Sequence, residues 1–477
     1  MQFLIFKYFY PYAGFINGDS YTYLLAAFWN QPVSFYPIGY PKFLRLFSVF
    51  SNSDTALVAF QYLLMQVSSL FLIATILYNF NCSRFTKTLL FIFAVLNPVN
   101  LYIANYISSD AIFISLSLIW FTLLIWTVLM PSVRLIILQV LVIFLAFSVR
   151  YNALYYPVIS IAVISLSRQK PIHKFTGILA IVLMLAFSIW NTTQQLFELT
   201  GIRQFSPFSG WQIANNALNG YRYVKSVDRK PVPKQFAGLD GITRRYFDST
   251  NKNALNSFPD RQFATTYYMW VPASPLQQYM FKTFHTHDSA LDLKRWASMG
   301  PLYSAYGSFL IRKYPFNYIR DYLAPNFLLF FAPPLEFLET YNMGRDTVHV
   351  IAKTWFHYKS NKVSTHAGDF NVELLSFYPT LLACINVLFL ASFLCFIMLR
   401  GLTNNKQLAK ILWIVTSFWG INFCFSVLSA PIYARYQVFP TLVSFVFASL
   451  MIEHVYIAAF KPSKLSNETY ESNPTYA

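Results

Sequence analysis

Long apolar runs separated by short polar segments dominate the pattern along this chain of 477 residues. A helix of about 20 residues, rising about 1.5 Å per residue, crosses the roughly 30 Å hydrocarbon core of a membrane. Many of the apolar runs reach that length with almost no charge. We therefore predict nine full spans, over 56–79, 88–107, 110–130, 134–149, 151–167, 175–194, 376–400, 410–430 and 437–460.

The stretch Met1–Ile16 is a partial tenth span, too short to cross untilted. The pattern predicts an all-α polytopic membrane protein with about 9–10 transmembrane helices and a large extracytoplasmic insert. Its predicted domains are an N-terminal transmembrane core, the insert, the C-terminal transmembrane helices and a polar cytoplasmic tail, over 1–196, 197–373, 374–462 and 463–477. Frequent Pro, Asn and Gly in the insert favour a small irregular globular domain.

Basic residues in the short loops give the orientation, because cytoplasmic loops carry an excess of Lys and Arg. One side receives 11 of them and the other side only 2, Arg150 and Arg435. The C-terminus is then cytoplasmic and the insert lies outside. We expect Phe316–Pro334, which is apolar but contains Pro325, Pro333 and Pro334, to lie at the membrane interface rather than to span.

Composition and charge narrow the class of protein further. The chain is 56% hydrophobic and only 12% charged, with a net charge of +17. Many of the Lys and Arg residues lie in the short loops between apolar runs, and no basic stripe with aromatics occurs on a soluble module, so nucleic acid is not an expected partner. None of the four cysteines lies in the insert, which excludes a disulfide framework there.

Acidic residues are rare in the membrane half, and a carboxylate near a membrane is costly unless it is solvated or functional. Asp19 follows Gly18 in the first outer loop, and Asp110 lies at the outer turn between two spans. Each could instead be a helix cap, since Asp favours that position. Asp54, just before a span, is better interpreted as a cap than as a catalytic residue.

Two isolated arginines lie on the same predicted face as these acids. Arg150 ends a span, and Arg435, followed by Tyr436, precedes the last span. A guanidinium suits a phosphate at headgroup level because it can donate two parallel hydrogen bonds. Alternatively, each arginine places its charge at the interface while its stem lies in the membrane.

In its membrane half the chain resembles the multi-span glycosyltransferases of the C-type (GT-C) fold that use polyprenyl-phosphate sugars, such as the protein mannosyltransferases and the lipid A aminoarabinose transferases. The resemblance rests on the order and sidedness of Asp19, a Pro-containing amphipathic stretch from Tyr36 to Arg45, Asp110, Arg150 and the pair Arg435-Tyr436. Many of those relatives carry an acidic pair in the first loop, where this chain has Asp19 followed by Ser20.

The resemblance implies a hexosyl- or pentosyltransferase in a plasma membrane, such as the bacterial inner membrane, acting by a single inverting displacement. Asp19 would be the general base, and Asp110 would orient the acceptor or hold a metal ion. Arg150, Arg435 and Tyr436 would bind the donor phosphate. The implied partners are a polyprenyl-phosphate sugar, the lipid bilayer and an acceptor lipid, glycan or protein. No cofactor is required by the pattern, and a divalent metal stays open.

Other functions fit the same pattern of spans. A transporter or lipid flippase would place charges near mid-membrane, and a surface-polysaccharide polymerase or ligase would place its catalytic residues in the insert. A non-enzymatic assembly scaffold is a further alternative. In the insert, His285, His287, Asp288 and Asp292 could form a metal cluster, although alternating histidines in a loop are more often surface residues.

The orientation is testable by cysteine labelling in intact cells, using a variant that lacks the native cysteines. A cysteine at Ala237, in the insert, should react with a membrane-impermeant maleimide, and one at Ser463 should react only after permeabilisation. Labelling of Ser463→Cys but not Ala237→Cys in intact cells would reverse the topology.

Overall fold

The computed structural model describes residues 1–250, 266–285, 292–429 and 431–460. Regular structure in this part of the chain is helical, and β-pairing there is limited to three isolated bridges. The helices α1–α22 run over Gln2–Phe9, Asp19–Phe28, Gly39–Ser48, Asp54–Asn79, Arg84–Val95, Val99–Asn105, Asp110–Leu129, Val133–Val149, Tyr156–Leu166, Pro171–Thr200, Ser209–Tyr221, Ala237–Thr250, Tyr267–Trp270, Pro275–Thr283, Leu293–Lys313, Pro315–Tyr318, Ala324–Phe331, Val350–Phe356, Tyr378–Met398, Gly401–Asn404, Lys406–Ser429 and Ala434–Phe460.

Seven segments of the described chain are long and apolar enough to cross a membrane, which confirms a multi-pass membrane protein. They are Asp54–Asn79, Arg84–Asn105, Asp110–Leu129, Pro171–Thr200, Glu373–Met398, Lys406–Ser429 and Ala434–Phe460. The two short spans that the sequence predicts correspond to shorter apolar helices, Val133–Val149 and Tyr151–Leu166. In the stretch predicted as a partial tenth span, the helix is α1. Its eight residues give it a length of only about 12 Å.

Local sequence signals explain where the spans begin and break. Three of them start at a serine whose hydroxyl accepts a hydrogen bond from a backbone N–H in the first turn, at Ser53, Ser83 and Ser132. Such caps satisfy backbone donors that a helix start leaves unpaired. The second span bends between α5 and α6 at Asn97-Pro98, because a residue before proline disfavours the helical conformation.

The insert has a core of its own built from helices α11–α15, so the expectation of an irregular domain is wrong. Trp211, Tyr303 and Tyr306 are fully buried in this core. Its aromatic residues supply the apolar area that stabilises a small unit. His287, Asp288 and the tail 463–477 lie outside the described residues, as do the predictions made for them.

The segment Phe316–Pro334 packs against α19 and α21. It consists of α16, a π-helical turn over Ile319–Leu323 and α17. It is not among the seven segments of the described chain that are long and apolar enough to cross a membrane. Phe330 makes edge contacts with Trp419 and Phe423 of α21, and Asn386 of α19 donates to the Phe331 carbonyl at 3.3 Å. The segment therefore fixes the end of the insert against the transmembrane half.

A close helix crossing in the insert provides a test of this packing. A Cβ added to Gly210 of α11 would lie 1.9 Å from the Gly300 carbonyl oxygen of α15. Gly210→Ala should therefore lower the stability of the detergent-solubilised protein by about 1–3 kcal/mol, the usual effect of overpacking. Thermal unfolding measures it.

The matched control is Gly420→Ala, because nothing lies within 4 Å of a Cβ at this helical position. That change should be neutral or stabilising by up to about 1 kcal/mol, as alanine is the better helix former. Equal losses in the two variants would contradict the packing of α11 on α15.

Candidate active site

Side chains from five distant parts of the chain meet at one end of the helical bundle. Asp19 opens α2, Asp110 opens α7, Arg150 follows α8, and Arg435 lies in the first turn of α22. The fifth is Glu336, from the insert segment that follows α17. The structure thus brings together the two acids and two arginines selected from the sequence, and it adds one carboxylate.

Arg435 is the centre of the cluster. Its Nε donates to Glu336 Oε2 at 2.9 Å, and its Nη1 donates to Asp110 Oδ2 at 3.1 Å and to Asp19 Oδ2 at 3.4 Å. Only 5% of Arg435 is exposed. One buried guanidinium therefore holds three carboxylates that repel one another, and each carboxylate offsets part of the cost of burying the cation.

Asp110 joins the two arginines. Its Oδ1 accepts a hydrogen bond from Arg150 Nη1, while its Oδ2 accepts one from Arg435 and another from Ser108 Oγ at 2.9 Å. The side chain is 4% exposed. Both of its oxygens are engaged by charged donors, so Asp110 is placed to fix the arginines rather than to take a proton from a substrate.

Tyr436 lies beneath both cations. The guanidinium carbons of Arg150 and Arg435 each lie 4.5 Å from the centre of its ring. A cation over an aromatic face is attracted by the ring's quadrupole. Tyr436 is therefore a support for the two arginines, which keeps their positive charges close together despite their mutual repulsion.

Asp19 is the most accessible of the three carboxylates. Its side chain is 22% exposed, against 15% for Glu336 and 4% for Asp110. Gly18 before it has φ 91°, a conformation that glycine adopts without strain. Tyr36 donates its hydroxyl to Asp19 Oδ1 at 2.7 Å, and burial, followed by the charge of Asp19, raises the pKa of Tyr36 well above its usual value, so this phenol stays a donor.

Glu336 is the site residue that the sequence does not reveal. It follows Pro333-Pro334-Leu335 and has φ 54°, an uncommon conformation for a non-glycine residue that often marks a functional position. Burial raises its pKa to about 7, with Asp19 and Asp110 adding to the shift and Arg435 opposing it.

A cavity of about 1650 Å³ opens above the cluster. Asp19, Glu336, Arg150, Arg435 and Tyr436 all line it, whereas Asp110 lies behind them. Its other walls come from the insert and from the ends of α10 and α21, through Phe208, Trp270, Trp296, Leu199, Phe425 and Leu428. The cavity therefore joins the ion-pair network, the insert and the apolar ends of two spans.

Asp54 does not belong to this site. Its Oδ2 accepts a hydrogen bond from the backbone N–H of Ala13 and another from the Tyr358 hydroxyl, both at 2.8 Å. The cap of its helix is Ser53. Asp54 thus ties the first loop to the insert, and the prediction that it caps its helix is wrong.

The described residues contain no group of three or more His, Cys, Asp or Glu side chains arranged to hold a metal ion. The three carboxylates of the cluster instead surround a guanidinium. Comparison with protein-family models, curated proteins and solved structures finds no match to this chain. Function must therefore be inferred from the geometry and charge of the site itself.

The raised pKa of Glu336 predicts a pH dependence of stability. Between its ordinary value of 4.5 and about 7, the folded protein binds more protons than the unfolded chain, so stability falls as pH rises through this window. Glu336→Gln should flatten that part of the profile. Unfolding temperatures in detergent between pH 4.5 and pH 7.5 measure it.

The control for this experiment is Glu373→Gln, which removes an exposed glutamate and should leave the profile as in the wild type. A wild-type profile that does not fall across the window, or one that Glu336→Gln leaves unchanged, would show that Glu336 ionises normally.

Proposed function

We propose that this protein is an integral membrane glycosyltransferase that moves a sugar from a polyprenyl-phosphate donor to an acceptor on the outer face of the membrane. One observation carries the proposal. A large cavity beside apolar helix ends has, on one wall, an accessible carboxylate within hydrogen-bond reach of a two-arginine cluster. Transfer from a lipid-linked phosphate needs these two parts, a base and a cationic phosphate site.

Asp19 is the general base in this proposal. It lines the cavity and is the most exposed of the cluster's three carboxylates, and Tyr36 holds its Oδ1 by a hydrogen bond. That bond orients Asp19 so that its remaining lone pairs can face an acceptor hydroxyl or amine. Its position in the first loop also agrees with the resemblance to polyprenyl-phosphate glycosyltransferases.

Arg150 is the first contact for the donor phosphate. It lines the cavity, and 17% of its side chain is exposed. Within the described chain the one hydrogen-bonding partner of its guanidinium is Asp110, through Nη1, so Nε and Nη2 can donate to phosphate oxygens. Arg435 adds positive charge from deeper in the site, and Asp110 and Tyr436 keep the two cations together.

The reaction is a single displacement. The acceptor gives its proton to Asp19 while its oxygen or nitrogen forms a bond to the anomeric carbon. The bond between that carbon and the phosphate oxygen breaks, and polyprenyl phosphate leaves with the electron pair. Arg150 and Arg435 stabilise the charge that develops on the phosphate, and the configuration of the sugar inverts.

Membrane orientation forms part of the proposal. In this proposal the cavity and the insert lie outside and the C-terminus inside a plasma membrane, and the bias of basic residues in the short loops supports that orientation. The apolar cavity wall formed by Leu199, Phe425 and Leu428 offers a place for the first isoprene units of the donor.

The proposed reaction uses side chains alone. A divalent ion, if bound, would add positive charge beside the phosphate.

A surface-polysaccharide ligase or polymerase is the second candidate. Such an enzyme is expected to place catalytic residues in the insert, and Glu336, an insert residue, lines the cavity and pairs with Arg435. Its pKa of about 7 would also suit a general acid or base near neutral pH. The distinction lies in which carboxylate, Asp19 or Glu336, accepts the proton.

Substitution of Asp19 separates these possibilities. Asp19→Asn keeps the shape of the side chain but removes its basicity, so transfer from a radiolabelled polyprenyl-phosphate sugar in membranes should fall by about 10²–10⁴. Asp346→Asn, an exposed aspartate of the insert, is the matched control and should keep full activity. Near-normal transfer by Asp19→Asn together with loss in Glu336→Gln would favour the ligase or polymerase.

Arg150→Ala should act differently, raising the KM for the donor, and Arg150→Lys should restore only part of its binding because an ammonium lacks the planar fork. Arg435→Ala is the poorer probe, since it leaves three neighbouring carboxylates without their shared cation and should destabilise the fold. If no preparation consumed any lipid-linked sugar, the transporter hypothesis would be favoured over the transferase.

A further inference from the structure

A continuous row of aromatic rings leads from the proposed base into the insert. It consists of Tyr36, Phe208, Trp270 and Trp296, which we call the aromatic ladder, and all four line the cavity. Tyr36 stacks on Phe208 with ring centres 5.2 Å apart, and Phe208 lies 5.6 Å from Trp270 and 5.6 Å from Trp296. The two tryptophans stack at 5.1 Å.

The ladder is connected to the chemistry through its first ring. The Tyr36 hydroxyl donates to Asp19, while Phe208, Trp270 and Trp296 belong to the insert. Trp296 is almost completely buried and supports the row, whereas Trp270 is 37% exposed. A ligand that stacks on Trp270 and follows the row to Tyr36 would therefore have one end at Asp19 and extend away from the membrane half.

The polar groups beside the ladder are mostly uncharged. Gln212, Asn216 and Gln277 line the same cavity, and primary amides both donate and accept hydrogen bonds. The charged pair in this part, Arg295 and Asp292, is ion-paired at 3.6 Å. The exposed Trp270 ring, next to neutral amides, matches a ligand with apolar C–H faces and many hydroxyl groups.

We infer that the acceptor is a carbohydrate, a neutral oligosaccharide or the glycan part of a larger molecule, which stacks on the aromatic ladder with its terminal hydroxyl at Asp19. This rests on the proposed function and names its acceptor class. An anionic lipid acceptor would require cations along the ladder beyond Arg295, which is ion-paired with Asp292; a peptide acceptor is distinguished by the transfer assay.

Binding can be measured without catalysis. Saturation-transfer NMR on the full chain in detergent, with mannotetraose, maltotetraose and chitotetraose as probes, should detect at least one of them. Trp270→Ala should weaken that binding about tenfold, the size expected for loss of one stacking ring, and Trp270→Tyr should restore most of it. Asp19→Asn should still bind, since stacking needs no base.

Trp190→Ala is the matched control, because this tryptophan lies on α10, is 62% exposed and is absent from the cavity lining. It should bind oligosaccharide as the wild type does, and unfolding temperatures should show that both variants are folded. Failure of all three oligosaccharides to bind, or equal binding by Trp270→Ala and wild type, overturns the inference.

Transfer assays separate this inference from the proposed function. Lipid-linked donor consumed with a Ser/Thr-containing peptide or phosphatidylglycerol vesicles, but not with oligosaccharide, would refute a carbohydrate acceptor and leave the glycosyltransferase intact. Oligosaccharide bound through Trp270 with no donor consumed under any condition would refute the transferase and leave only a sugar-binding site.

Discussion

The buried guanidinium of Arg435 is the constraint on which the site depends. It joins the first loop through Asp19, the start of α7 through Asp110 and the insert through Glu336, three regions far apart in sequence. The cation offsets the cost of removing these carboxylates from water, and they in turn offset the cost of burying Arg435. The insert is thus held over the transmembrane half by charge as well as by apolar packing, and the cavity lies between the two.

The same network divides its carboxylates by environment. Asp110 is enclosed by two arginines and Ser108, Glu336 is buried beside other acids and has a raised pKa, and Asp19 faces the cavity with a tyrosine on one oxygen. Carboxyl groups in different surroundings can serve different functions, because burial and neighbouring charges set their protonation separately. One cluster can therefore contain a carboxylate that fixes the arginines (Asp110), one whose protonation is sensitive to pH (Glu336) and one that is accessible from the cavity (Asp19).

The sequence predicts the transmembrane half well and the insert poorly, for physical reasons. Apolar runs give spans directly, and alternation of sides places Asp19, Asp110, Arg150 and Arg435 at one face, where the structure has them in contact. The helical core of the insert is hidden because its apolar residues are mixed with Pro, Asn and Gly. The sequence does not reveal Glu336 either. Its place in the site depends on a left-handed backbone conformation and on its contact with Arg435 of α22, and neither produces a periodic pattern in the sequence.

Helix α10 carries a consequence for the lipid around the protein. Only 11% of its most apolar 18-residue stretch is buried inside the protein, so most of that stretch faces lipid. The helix has 30 residues and is therefore about 45 Å long. A hydrocarbon core of roughly 30 Å is shorter than this helix, which must tilt or project beyond the core. Because Leu199 near its end lines the cavity, the height of the cavity mouth above the headgroups varies with bilayer thickness.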